Sequence, residues 1–176
     1  PMSFPLMPAV EPLTPQIFFE REGRRYTNLF EFDAVSSWPE EDAAQVVEVS
    51  GSLKDRQQAE GGVDYRYRYV FTDSTVAKHI TLHFREYPDT LYISEPLILY
   101  PGSRVERIGE REVVLVTPDR QIRITLPEGD ARLLSGKNAE RYVACYPALR
   151  AWPLVLVITP EKGREEARFT LEIRVA

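Results

Sequence analysis

The chain has 176 residues, of which 43% are hydrophobic and 28% are charged, and it contains one cysteine. A chain of this length predicts one domain, and one cysteine excludes an internal disulfide, a cysteine-rich zinc cluster and an iron–sulfur site. The net charge of −5 makes nucleic acid a poor partner, because phosphate backbones are bound by basic surfaces. No apolar run of about 18 residues occurs, so the sequence predicts no membrane span.

The first 15 residues predict an extended proline-rich arm, with prolines at positions 1, 5, 8, 12 and 15. Proline fixes an extended backbone and donates no amide hydrogen bond. We therefore expect the folded domain to occupy residues 16–176. The start lacks the basic end and apolar core of a secretion signal. A cytoplasmic location is expected if Met2 is the natural start, although a fragment of a longer protein would look the same.

The clearest secondary-structure signal covers residues 64–84. Aromatic residues alternate with Arg66 and Arg68 in its first half, and apolar residues alternate with His79 and His83 in its second half. This two-residue period is typical of half-buried strands. The segment thus predicts two antiparallel strands joined by a turn at 72–74. The residues expected on the buried face are Tyr65, Tyr67, Tyr69, Phe71, Ile80, Leu82 and Phe84.

Short strands recur along the rest of the chain, separated by turns that contain glycine or proline. One segment, Pro39 to Gln45, offers a helical pattern that Ser37 would cap. The pattern as a whole predicts an all-β protein, an antiparallel β-sandwich of about 12 strands. The expected strands span residues 17–19, 26–32, 45–53, 64–71, 79–84, 90–100, 105–108, 112–117, 121–126, 131–134, 141–146, 154–159 and 167–175.

Three of these strands are apolar on both faces, at residues 97–100, 113–116 and 154–158. Only one face of a sandwich strand enters the core, so the other must be covered by the arm, by another subunit or by an attached domain. We therefore expect a homo-oligomer or a protein partner. The residues expected at that interface are Phe4, Leu6, Leu13, Val155 and Val157.

No catalytic set, metal site or cofactor site is predicted. His79 and His83 would lie about 13 Å apart on a strand, too far to bind one ion together. Cys145 is expected to be a buried core thiol. Glu95 either points inward, where it needs a partner, or is turned outward by a bulge or a sheet edge at Pro96, and we favour the outward position.

Four aromatic residues are candidates for stacking sugar rings, because an aromatic ring offers an apolar face to the sugar. Trp152 lies between an alanine and a proline in an expected loop, which makes it the best candidate for exposure. The alternative for these rings is packing in the core or in an interface. The candidates are Trp152, Trp38, Tyr142 and Tyr146.

Residues 45–176 resemble the large β-sandwich domain that accompanies the catalytic helical toroid in heparinase II/III-like polysaccharide lyases. The resemblance lies in the segments Val49 to Ser52, Tyr65 to Phe71 and Glu95 to Ile98. It implies a β-sandwich fold and an ancillary role. Much of the catalytic site in such proteins comes from the toroid, which this chain lacks, so no catalytic residue is carried over.

The function predicted first is a non-catalytic β-sandwich module for protein–protein assembly or interaction. The alternative is a carbohydrate-binding or ancillary domain of a bacterial polysaccharide-processing enzyme. A structural component of a virion or of a secretion machine fits the same features. An enzyme active on its own is not expected, because no nucleophile, base and metal set is assembled in the sequence.

Overall fold

The computed structural model describes residues 15–41, 44–99, 101–107, 109–126, 129, 131–135, 143–146 and 149–175. Within these ranges the chain forms fifteen strands and a 3-10 turn at Asn28–Phe30, and no helix there has the length and apolar character to cross a membrane. The strands are β1 (Gln16–Arg21), β2 (Arg24–Thr27), β3 (Val35–Ser37), β4 (Glu40–Glu41), β5 (Ala44–Lys54), β6 (Glu60–Phe71), β7 (Thr75–Phe84), β8 (Leu91–Leu99), β9 (Arg104–Arg107), β10 (Glu112–Val116), β11 (Gln121–Thr125), β12 (Arg132–Ser135), β13 (Val143–Tyr146), β14 (Leu149–Ile158) and β15 (Glu166–Val175).

All paired strands are antiparallel and belong to one continuous sheet. Twelve strands follow the order β12-β14-β8-β1-β2-β5-β6-β7-β15-β11-β10-β9. In addition, β13 pairs with β14, and both β3 and β4 pair with β5. The expected all-β antiparallel fold is confirmed, and the two strands expected within residues 64–84 are β6 and β7, paired around the turn at 72–74.

The sheet curls so that one of its faces encloses the hydrophobic core. Side chains from β7 and β8, such as Ile80 and Ile93, belong to the same buried cluster. An ion pair between Lys78 of β7 and Glu95 of β8 joins these strands directly, although β1, β2, β5 and β6 lie between them in the sheet. The layers that face each other across the core are therefore parts of one sheet.

The second apolar face of β14 is buried as well. Leu154 and Leu156 lie in the core, and Val155 and Val157 on the opposite face are 8% and 5% exposed in the single chain. The outward aliphatic groups of β14 are therefore covered within the single chain, without a second subunit or an attached domain. An interface that includes Val155 and Val157 stays a prediction, without an exposed patch there to support it.

In place of the helical pattern expected at Pro39 to Gln45, Glu40, Glu41, Ala44 and Gln45 belong to strands, and residues 42 and 43 lie outside the described residues. Glu40 pairs with Gln45, and Glu41 pairs with Ala44, across the start of β5. Glutamate and alanine favour helix locally, but such preferences are weak and pairing with a neighbouring strand overrides them. This segment therefore extends the sheet beside β5.

Candidate functional site

A groove opens at the edge of β5, where the neighbouring strand is interrupted. Ser37 of β3 faces Glu48, and Glu40 of β4 faces Gln45, so β3 and β4 keep one register along β5. The two residues between them are Trp38 and Pro39, which belong to neither strand. Proline has no amide hydrogen to donate to a ladder, which accounts for the break.

The groove has a volume of about 610 Å³. This value lies within the range of about 300–1,000 Å³ that is typical of small-molecule sites. Its two aromatic lining residues are open to solvent, since Trp38 is 70% exposed and Phe71 is 37% exposed. Glu40 and Gln45, both exposed, supply polar groups beside these rings. The lining residues are Trp38, Pro39, Glu40, Ala44, Gln45, Val46, Val47 and Phe71.

A row of aromatic side chains along β6 connects the groove to the core. Phe71 stacks on Tyr69, with ring centroids 6.2 Å apart and an interplanar angle of 16°. Tyr69 adjoins Tyr67 at 6.0 Å, and Tyr67 adjoins Tyr65 at 5.3 Å. Tyr65 and Tyr67 are buried. Phe71 is thus the solvent-exposed end of a packed series of rings, which holds this wall of the groove in place.

A buried polar cluster lies against the same row of rings. The Lys78 Nζ atom is 4.0 Å from the centroid of Tyr67 and 5.2 Å from that of Tyr69, and it is paired with Glu95. The Lys78 and Glu95 side chains are 4% and 12% exposed. Burial raises the pKa of Tyr67 well above its ordinary value, and the Glu95 carboxylate adds to this effect. Tyr67 therefore stays protonated at neutral pH and cannot serve there as a base.

This cluster corrects the expectation that Glu95 turns outward. Pro96 produces no bulge, because it faces Pro153 of β14 in an unbroken register. In an antiparallel pair of strands, every second pair of opposite residues forms no backbone hydrogen bonds with each other, so two prolines can face each other at such a position. On their other sides, neither proline is paired with a described strand. Glu95 therefore keeps its inward position and reaches Lys78.

The two histidines of β7 contact β15 on the opposite face of the sheet. His79 Nδ1 is 3.0 Å from the Thr170 hydroxyl oxygen, and His83 Nε2 is 3.3 Å from a carboxylate oxygen of Glu166. Burial, followed by the charge of Arg68, lowers the pKa of His79. In the part of the chain that the structure describes, no group of three or more side chains is placed to hold a metal ion.

Of the aromatic residues proposed from the sequence, Trp38 lines the groove. Trp152 lies within β14 opposite Leu97, so its expected position in a loop is wrong, because Pro153 did not end the strand. Tyr146 belongs to β13, and Cys145 lies in the same strand. Trp152 and Tyr146 are therefore on strands distant from Trp38 in the sheet order. Outside the described residues lie Tyr142 and the expected interface residues Phe4, Leu6 and Leu13.

Phe71 is the residue of the groove that the sequence interpretation missed. Alternation assigned it to the buried face with Tyr65, Tyr67 and Tyr69. Its position directly before the turn at 72–74 is the available signal, because the last residue of a strand has fewer neighbours to cover it. Pairing of Phe71 with Gln45 then brings it to the start of β5, beside the Trp38 segment.

Comparison with known proteins relates this chain to polysaccharide lyases. A family model described as "Ulvan lyase C-terminal domain" matches residues 1–176, the whole chain. Among solved structures, the crystal structure of heparinase III matches with a TM-score of 0.57 over 81% of this chain. The sequence identity is 13%, so this likeness concerns the fold alone, and the chain spans 21% of the length of that protein. No curated protein matches the chain in sequence.

Proposed function

Since this chain belongs to the ulvan lyase C-terminal domain family, we propose that it is the ancillary, non-catalytic domain of a polysaccharide-processing enzyme and that it binds polysaccharide at the Trp38 groove. The observation that carries the proposal is the pair of exposed aromatic walls, Trp38 and Phe71, in a groove of about 610 Å³. The family match favours this function over protein–protein assembly, which the sequence predicted first. It also confirms the resemblance to polysaccharide lyase domains.

The composition of the groove suits a sugar chain. A pyranose ring has an apolar face that packs on an aromatic ring, and its hydroxyl groups need hydrogen-bonding partners at the edge. Trp38 and Phe71 provide the aromatic faces, while Glu40 and Gln45 provide acceptors and donors. Phe71 is backed by Tyr69, so one wall is already ordered before a ligand arrives.

The buried cluster is a poor place for a reaction on a polysaccharide. Lys78 and Glu95 neutralise each other, and both are largely shielded from solvent. Tyr67 is also buried, and its raised pKa keeps its proton in place. A substrate chain has no access to these groups while the core is packed, which supports an ancillary role for this part of the chain.

Binding to immobilised ulvan tests the proposal. The Trp38→Ala variant should bind about tenfold more weakly, because it loses the larger aromatic face, with little change in melting temperature since Trp38 is 70% exposed. Phe32→Ala is the matched control, since Phe32 is 75% exposed and does not line the groove. Wild-type protein that is not retained on ulvan, or a Trp38→Ala variant retained as well as wild type, contradicts the proposal.

Assembly with a protein partner or with a second copy stays a prediction. Light scattering at micromolar concentration should then give a mass above the 20.2 kDa of one chain. Removal of residues 1–15 should change either that mass or the solubility if the arm contributes. A monomer that is unaffected by this deletion contradicts the assembly hypothesis and leaves the polysaccharide proposal intact.

A further inference from the structure

We infer that the buried ion pair of Lys78 and Glu95 positions one wall of the Trp38 groove. The pair holds the Tyr69 ring, and this ring in turn supports the exposed Phe71 ring. The inference rests on the proposed function and extends the determinants of ligand binding to side chains that do not line the groove. Glu95 of β8 then affects binding at the edge of β5, although β1 and β2 lie between these strands in the sheet.

Tyr69 lies between the groove and the buried ion pair. In the sheet it faces Val47 of β5, which lines the groove, and Lys78 of β7 on its other side. Its ring stacks on Phe71, with centroids 6.2 Å apart and an interplanar angle of 16°. The Lys78 Nζ atom lies over the same ring, 5.2 Å from its centroid. Tyr69 is therefore the physical link from the ion pair to the wall.

The Lys78 ammonium can hold these rings because it is itself fixed. A lysine side chain has a flexible four-carbon stem, so its charge takes one position only when a partner holds it. Here Nζ donates a hydrogen bond to the Glu95 carboxylate, and both side chains are largely shielded from solvent. Nζ also lies 4.0 Å from the centroid of Tyr67. A desolvated cation is attracted to an aromatic ring more strongly than one in water, so the fixed ammonium also restricts the rings beneath it.

Phe71 needs this support because it is the last residue of β6. Its ring is 37% exposed, and the turn at 72–74 follows it directly. A side chain that becomes ordered only when the ligand arrives loses its freedom at the expense of affinity. For one such side chain this weakens binding about two- to tenfold. Loss of the ion pair should therefore weaken binding although neither charge touches the ligand.

Two changes to the chain test the inference. Lys78→Met combined with Glu95→Leu replaces both charges by apolar groups, which often leaves stability unaffected. Tyr69→Leu keeps the ion pair and removes the ring that links it to the groove. Arg123→Met is the control, because it breaks an ion pair between β10 and β11, outside the groove.

The first measurement needs no ligand. In NMR spectra of protein with isotope-labelled phenylalanine, the Phe71 resonance reports the position of the Tyr69 ring, because stacked rings shift each other's signals. Phe71→Leu assigns this resonance. It should move toward the value of an exposed phenylalanine in the double variant and stay unchanged in Arg123→Met. An ion pair that only stabilises the fold would not move it while the melting temperature is that of wild type, so an unchanged resonance in the double variant overturns the inference.

The second measurement is the affinity for ulvan. The double variant and Tyr69→Leu should each bind about two- to tenfold more weakly than wild type, and Arg123→Met should bind equally well. In the Tyr69→Leu background, replacement of the ion pair should weaken binding no further, because the ring that transmits its effect is gone. A full further loss in that background, or wild-type affinity of Tyr69→Leu, overturns the inference.

The outcomes separate the inference from the proposed function. If wild-type protein is not retained on ulvan, the proposed function is wrong, and the Phe71 resonance alone decides the positioning role. If ulvan is retained through Trp38 and the double variant keeps the resonance and the affinity of wild type, the inference is wrong and the proposed function stands. If the double variant does not fold, the affinity of Tyr69→Leu decides the inference.

Discussion

The ion pair between Lys78 and Glu95 is predicted to contribute strongly to stability. In a Lys78→Met variant, the Glu95 carboxylate would remain 88% shielded, on the basis of its present 12% exposure, without its counter-ion. Removal of one partner of a buried pair costs about 3–5 kcal/mol, and the small exposure of Glu95 places the expected loss at the low end, about 3 kcal/mol. The rings of Tyr67 and Tyr69 would also lose the cation that lies over them.

The measurement is urea unfolding of the single variants and of a double variant. Lys78→Met combined with Glu95→Leu replaces both charges by apolar groups, and such a replacement is often neutral or stabilising. We therefore expect the double variant to lie within about 1 kcal/mol of wild type, which makes the two substitutions strongly non-additive. Arg123→Met is a matched control: its partner Glu112 is on the adjacent strand and the pair is partly exposed, so the cost should be at most about 1 kcal/mol.

A small effect at Lys78 would contradict the structural argument. If Lys78→Met costs less than about 1 kcal/mol, the pair behaves like a surface salt bridge. The two substitutions would then be additive, and β7 and β8 would not face each other across a closed core. An additive double variant that is far less stable than wild type would lead to the same conclusion.

Three further predictions concern pH and packing. Burial tends to raise the pKa of Glu31, but hydrogen bonds from Lys54 Nζ and from the Ser52 and Asp33 amides outweigh it and lower that pKa. The ionised carboxylate therefore stabilises the fold above the pKa of the unfolded state, and this stabilisation is lost as the pH falls through the pKa of the folded state. Over this acidic range, the melting temperature of Glu31→Gln should fall less steeply than that of wild type. Burial, followed by the charge of Arg68, lowers the pKa of His79, so protonation of this side chain opposes folding. The stability that is present above about pH 6.5 is therefore lost as the pH falls toward the pKa of the folded state. His79→Gln should reduce the decrease in melting temperature over this pH range. A Cβ at Gly51 would lie 2.7 Å from Glu31 Cγ and 2.9 Å from the Tyr65 hydroxyl oxygen, so Gly51→Ala should cost about 1–3 kcal/mol in urea unfolding, whereas Gly109→Ala, with nothing within 4 Å, should not. A Glu31→Gln variant whose melting temperature falls with acidic pH as in wild type would contradict the first prediction. A His79→Gln variant with an unchanged pH dependence of melting temperature would contradict the second, and equal stability of the two alanine variants would contradict the third.

The β6–β7 hairpin could be predicted because its signals are local. Alternation from Tyr65 to Phe84 sets the faces, and the turn at 72–74 sets the pairing, which the structure confirms. The same local reasoning failed at Pro39 to Gln45, where glutamate and alanine suggested a helix. That segment is held by pairing with β5, a contact that local propensity does not contain.

The position of Glu95 could not be derived from its own strand. Alternation placed it inward, but an inward carboxylate requires a partner, and Lys78 reaches it only because the sheet curls across four intervening strands. Pro96 suggested a bulge, and its pairing with Pro153 is visible only once β14 lies beside β8. The groove was partly predictable in the same sense: Trp38 was named as a sugar-stacking candidate, whereas Phe71 joins it through the β5–β6 register.

The break at Trp38 and Pro39 also interrupts the outer edge of the sheet beside β5. Within the described ranges, β3 and β4 pair only with β5, so their other edge presents backbone groups to which a strand of another molecule could add. An uninterrupted edge from Val35 to Glu41 would be a template for such addition. Pro39 removes a donor from its middle, and Glu40 places a charge beside it, two devices by which natural sheets resist edge-to-edge aggregation. The residue pair that opens the groove therefore also shortens the edge available for intermolecular pairing.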